Sequence, residues 1–203
     1  MNKVRIAVLC SGGGTNFQAI VNNAEAGLIP HGEIVLLIAD SPDAYALKRA
    51  ARMNIPTAVF DKKQYPRAAR EEKILACLKE NNIGLVVFAG FMTILSENFV
   101  SAYRNRIINV HPALIPSFCG EGMYGLHVHE AVLAAGVKVT GATVHYVTEV
   151  CDGGPIIAQK SVEVKEGDTP EILQKRVMRE AEWVILPEAV ESVCKKLSEE
   201  IHE

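Results

Sequence analysis

The sequence predicts an α/β fold: one domain over residues 1–203, a doubly wound, mostly parallel sheet with helices on both faces and antiparallel additions in the C-terminal part. Three observations predict it. Short runs rich in Val, Ile and Leu alternate with amphipathic stretches of helical length, as in a parallel sheet buried on both faces. Hydrophobic residues make up 49% of the 203, enough for one core of ordinary domain size. Late in the chain two strand-like runs are separated by only a short turn, a connection that joins antiparallel neighbours.

The elements follow in order. Apolar runs at 4–9, 33–39, 57–60 and 85–89 are the first four strands, and apolar residues at helical spacing mark helices over 16–25, 44–53 and 66–80. Ser41 and Asp61 stand near two of the helix starts as candidate caps. Right-handed crossovers would place these helices on both faces of the sheet. The run "IINVH" ends a further strand at His111, and residues 128–133 are helix-like. Residues 142–147 and 156–164 are the antiparallel additions, and one long helix runs from about 169 to 198. Residues 117–125, "SFCGEGMYG", form a glycine-rich loop, and no repeat, low-complexity tract or linker interrupts the chain.

Composition narrows the function. A formal charge of −3 leaves no basic field of the kind that neutralises phosphates along a nucleic acid, so the expected partners are small molecules. Five cysteines, an odd number, are scattered without a Cys-x-x-Cys pair, which points to reduced thiols in a cytoplasm. The N-terminus merges into a strand without a cleavage pattern, and no run approaches the ~18 apolar residues of a membrane span. A cytoplasmic protein without membrane contact is expected.

Two polar constellations interrupt the apolar pattern. In "VLCSGGGTNFQAI" a strand ends and a helix begins, so Ser11, Gly12, Gly13, Gly14, Thr15 and Asn16 can crowd backbone N–H groups and side-chain donors round an anion at a helix N-terminus. The stretch has neither a P-loop lysine nor the third glycine of a dinucleotide fingerprint, which favours a phosphate on a small substrate over a plain tight turn. In "IINVHPALIP" a strand ends in Asn109 and His111, and the prolines behind them stop it from continuing. Asp152, in "TEVCDGGPII", is either an Asx-type turn residue or a carboxylate that holds and charges the His111 imidazole, making it a proton donor near neutral pH. His127 and His129 form a His-x-His without further ligands at diagnostic spacing, so a metal-free site is expected. His145 fits a core or inter-strand hydrogen-bonding role.

With "SGGGTNFQAI", "FAGFMTILS", "NVHPALIPSF", "GLHVHEAVLAAG", "GATVHYV" and "DGGPII" in this order, the chain resembles the glycinamide ribonucleotide formyltransferases end to end. The resemblance implies transfer of the formyl group of 10-formyltetrahydrofolate to the amine of glycinamide ribonucleotide in purine synthesis, without metal. It implies Asn109, His111 and Asp152 as the catalytic set. Ser11 to Asn16 would bind the ribonucleotide phosphate and Glu182 the glycinamide or ribose end. Met92, Thr93, Ile94, Leu95, Ile107, Val150 and Cys151 would bind folate. The 117–125 loop is longer than in shorter family members. Two alternatives remain at this point: another formyltransferase or hydrolase using the same folate, and a non-catalytic nucleotide-binding domain on the same kind of sheet.

Overall fold

A computed structural model describes residues 3–93 and 95–200. The first half alternates β1 (Val4–Cys10), α1 (Thr15–Glu25), β2 (Gly32–Ala39), α2 (Tyr45–Arg52), β3 (Thr57–Val59), α3 (Arg67–Glu80) and β4 (Leu85–Phe88). The second half holds α4 (Glu97–Ala102), β5 (Ile107–His111), α5 (Leu126–Ala134), β6 (Val139–Tyr146), β7 (Ile156–Glu163), α6 (Pro170–Val177), a π-helical turn (Met178–Glu182) and α7 (Trp183–Glu200). One seven-stranded sheet runs β3-β2-β1-β4-β5-β6-β7, parallel from β3 to β5 and antiparallel from β5 to β7. The predicted fold class is the observed one.

The central strands β1, β2 and β4 are nearly continuous apolar runs because both faces are covered, whereas β7 at the edge is largely exposed. Along β1, Ile6, Val8 and Cys10 enter one core cluster with residues of α1, α2 and α7, while Ala7 and Leu9 enter the other with Ile74 and Leu78 of α3 and Phe99 of α4. Side chains that alternate in direction along a strand make this division. Among the described residues no helix is long and apolar enough to cross a membrane.

Three sequence expectations change. The final helix is not uniform, because its middle opens into the π turn five residues before Pro187, which lies inside α7. Ser41 and Asp61 do not cap helices: Ser41 accepts from Asp43 N–H and Asp61 from Lys63 N–H, closing the turns that precede α2 and α3. The short α4, capped by Ser96, has no counterpart in the periodicity reading.

Candidate active site

At β1 the strand order reverses, with β2 on one side and β4 on the other. Crossovers leave such a point in opposite directions and open a crevice at the carboxyl ends of the strands. A cleft of about 670 Å³ lies there, lined by the loops after β1, β4 and β5, by the turn before β7, and by α5 and the π turn. It contains Gly12, Gly13, Gly14, Thr15, Asn16, Met92, Thr93, Leu95, Asn109, His111, Val150, Cys151, Asp152 and Glu182 of the residues predicted from sequence.

The Asn-x-His spacing puts two side chains on one face of β5. Across the antiparallel ladder Asn109 faces His145 and His111 faces Thr143, so the register brings a second histidine beside the asparagine. His145 Nδ1 lies 2.9 Å from the Tyr146 carbonyl, which can only accept. In the neutral ring this leaves Nε2 to accept from Asn109 Nδ2, 3.3 Å away, and fixes which way the carboxamide points. His111 Nε2 donates to the Phe118 carbonyl at 2.9 Å, so Nδ1 is the nitrogen free to exchange a proton.

Asp152 sits between the two rings, 3.5 Å from His111 Nδ1 and 3.6 Å from His145 Nε2, and accepts from Gly120 N–H at 2.9 Å. Burial works to raise its carboxyl, but contact with His145, the Gly120 N–H and the charge of His111 hold it below the usual range. It therefore stays ionised. The turn geometry read from Asp-Gly-Gly is present as well: Asp152 has a φ of 52° and a Cβ on Gly154 would lie 1.8 Å from the Tyr146 carbonyl oxygen. The two readings of Asp152 are one arrangement, since the tight turn is what aims the carboxylate. The 117–125 loop holds both catalytic candidates from the other side, through Phe118 and Gly120.

At the other end of the cleft, α1 begins at Thr15 behind Gly14, an N-cap with no side chain, leaving first-turn N–H groups without a side-chain acceptor. Arg49 fastens the loop by donating to the Gly13 carbonyl at 2.9 Å. The glycines are not equivalent. Gly14 has a φ of 70° and a Cβ there would lie 2.6 Å from that of Ala46, whereas at Gly12 and Gly13 it would meet nothing within 4 Å. Asn16 donates to Glu182 at 2.6 Å, and burial pushes the Glu182 carboxyl up to about 6 against that hydrogen bond.

Two predicted site residues stand apart from the cleft wall, and a third falls on an undescribed position. The Ser11 hydroxyl accepts from Met92 N–H at 2.9 Å, joining the two loops. Ile107 is buried in the second core cluster, because β5 reaches the cleft only with its last residues. Ile94 lies outside the described residues. His145, itself buried, makes the inter-strand hydrogen bond expected of it, whereas the roles of Phe118, Gly120 and His129 at the site were not read from sequence. His129 is fully buried on the cleft wall, while His127 is exposed and faces Glu130 at 3.2 Å. Residues two apart on a helix point in nearly opposite directions, so the pair cannot grip one ion. Among the described residues no three His, Cys, Asp or Glu side chains are grouped to hold a metal. Burial and the Asp152 charge push the thiols of Cys119 and Cys151 up, which makes both poor nucleophiles.

The chain is similar to known proteins over nearly its whole length. The sequence model of the family described as formyl transferase matches residues 4–190. A phosphoribosylglycinamide formyltransferase of Bacillus subtilis is 39% identical over 88% of this chain and 90% of its own length. The trifunctional purine biosynthetic protein adenosine-3 of Gallus gallus is 44% identical over 95% of this chain, which spans 19% of that longer protein. A glycinamide ribonucleotide transformylase structure from Symbiobacterium toebii superposes with a TM-score of 0.89 at 40% identity, over 96% of this chain and 89% of that one. Sequence and fold agree over nearly the whole length, and the chain belongs to the formyl transferase family.

Proposed function

We propose that the chain transfers the formyl group of 10-formyltetrahydrofolate to the amine of glycinamide ribonucleotide, a step of purine biosynthesis, in the cytoplasm. The observation that carries the reading is the meeting of Asn109, His111 and Asp152 in the same cleft as an uncapped helix N-terminus. One end suits a phosphate and the other suits a carbonyl that gains charge. Between them, exposed Met92 and Val150 with Leu95 and Val147 offer apolar surface that fits a flat pterin ring.

The bound folate supplies the formyl group. Asn109 and protonated His111 donate toward the formyl oxygen as the acceptor amine adds to its carbon, stabilising the negative charge that forms there. Asp152 pairs with the His111 ring at 3.5 Å and, through a water, takes the proton released by the new C–N bond toward the nitrogen that departs. No residue forms a covalent bond to the formyl group.

The test is formation of formylglycinamide ribonucleotide by purified protein, with other acceptor amines offered in parallel. Turnover should survive exhaustive chelation, because no metal-type ligand group lines the cleft among the described residues. Preference for another amine, or activity restored only by a divalent ion, would overturn the reading.

A second expected result separates the glycines. Gly13→Leu should fold normally, since its side chain enters open space, yet raise the ribonucleotide KM at least ~10-fold with little effect on the folate KM. Equal changes in both KM values would make the loop structural. Gly14→Ala should instead disturb folding, because its Cβ collides with Ala46.

A further inference from the structure

Every polar group used so far has a partner in the protein or an evident one in the reaction. His129 has neither. Its side chain is fully buried, both ring nitrogens lack any hydrogen-bond partner, and it lines the cleft from α5. Native proteins leave few buried polar groups unsatisfied, because each such group loses its hydration without return. A leucine would pack the same helix position without that loss.

We propose that His129 is a binding residue for the acceptor, its imidazole pairing with an uncharged hydrogen-bonding group of the glycinamide-ribose portion. This rests on the acceptor reading above. The wall it belongs to supports the acceptor side, since α5 packs on α6, whose continuation through the π turn carries Glu182 and its Asn16 partner beside the glycine loop. The folate-side residues Met92, Leu95 and Val150 come from other segments, the loops after β4 and before β7.

The chemistry of the ring fits a neutral ligand group. Burial, with the charge of His111 adding to it, pushes the His129 imidazole down to about 4, so it is uncharged at neutral pH. A neutral imidazole has one donor and one acceptor nitrogen. A ribose hydroxyl or the glycinamide amide can satisfy either, whereas a phosphate would call for a cation or for donors alone. His129 thus differs from Glu182, which is anionic above pH ~6 and can only accept once ionised.

The test uses the purified enzyme with formylglycinamide ribonucleotide formation as the assay, so that absence of parental turnover would fail the functional reading and not this one. His129→Leu should raise the acceptor KM at least ~10-fold, leave the folate KM within ~2-fold, and raise the melting temperature of the ligand-free protein by ~2 °C or more. His129→Gln, which keeps a donor and an acceptor, should recover most of the acceptor affinity. Acceptor lacking the ribose hydroxyls distinguishes the two sources: loss of the His129 effect with it assigns the hydroxyl, and persistence assigns the amide. If His129→Leu does not fold, the Gln variant carries the test through calorimetric acceptor binding. An unchanged acceptor KM in His129→Leu, equal loss for both substrates, or Gln behaving no better than Leu would overturn the proposal and return His129 to a packing role.

Discussion

Asp152→Asn is expected to lower kcat at least ~100-fold, the usual worth of a positioned acid-base group, while the acceptor KM changes by less than ~3-fold. The substitution is nearly isosteric. Asparagine tolerates the left-handed backbone found at this position, with its φ of 52°, and its carbonyl can still accept from Gly120 N–H. What disappears is the negative charge between His111 and His145. The pH dependence of stability tests the same charge. Because the folded-state pKa of Asp152 is depressed, its stabilising contribution is complete above the ordinary carboxylate range and is lost as pH falls through the depressed value. Urea denaturation of the parent should therefore show an acid-side loss in that window, and the variant a smaller one. Turnover within ~3-fold of the parent would leave Asp152 as a turn residue only.

Asn109→Ala should reduce kcat by ~10²–10³, the measured range for removal of one oxyanion donor, with both KM values near those of the parent. A ground-state contact would instead appear in KM. The carboxamide is half-buried and its orientation is set by His145, so the amide hydrogen not given to the imidazole is already aimed before substrate arrives. Preorganisation of this kind is why a single donor can be worth so much: no dipole has to turn as charge develops. Pre-steady-state measurement with both substrates saturating would show whether the chemical step is the one slowed. A fall confined to KM would remove Asn109 from the oxyanion role.

The sheet was legible because its determinants are local. Runs such as those ending at Leu9 and Ala39 bury both faces, and period-two alternation or continuous apolarity registers directly in the residue order. Gly-Gly-Gly before Thr15 and the prolines after His111 also announce their turns locally. By contrast α4 is only six residues long, too short for a helical period to establish itself, and a π turn of five residues inside a long helix leaves the apolar period almost unchanged. Ile107 read as a cleft residue because a strand sequence does not say how far along its length the covering layer extends.

By itself the sequence determined the fold class and the family, and it offered Asn109, His111 and Asp152 as the candidate chemical set, since side-chain chemistry and strand-end position are properties of the chain. Only the tertiary structure decided how they are held. The pairing of Asn109 with His145 depends on antiparallel register across 36 residues, and the anchoring of His111 and Asp152 depends on where a glycine-rich loop folds back. The unpartnered state of His129 likewise exists only once α5 is packed on its neighbours. Hydrogen bonding and burial are relations between distant segments, and no spacing within one segment encodes them.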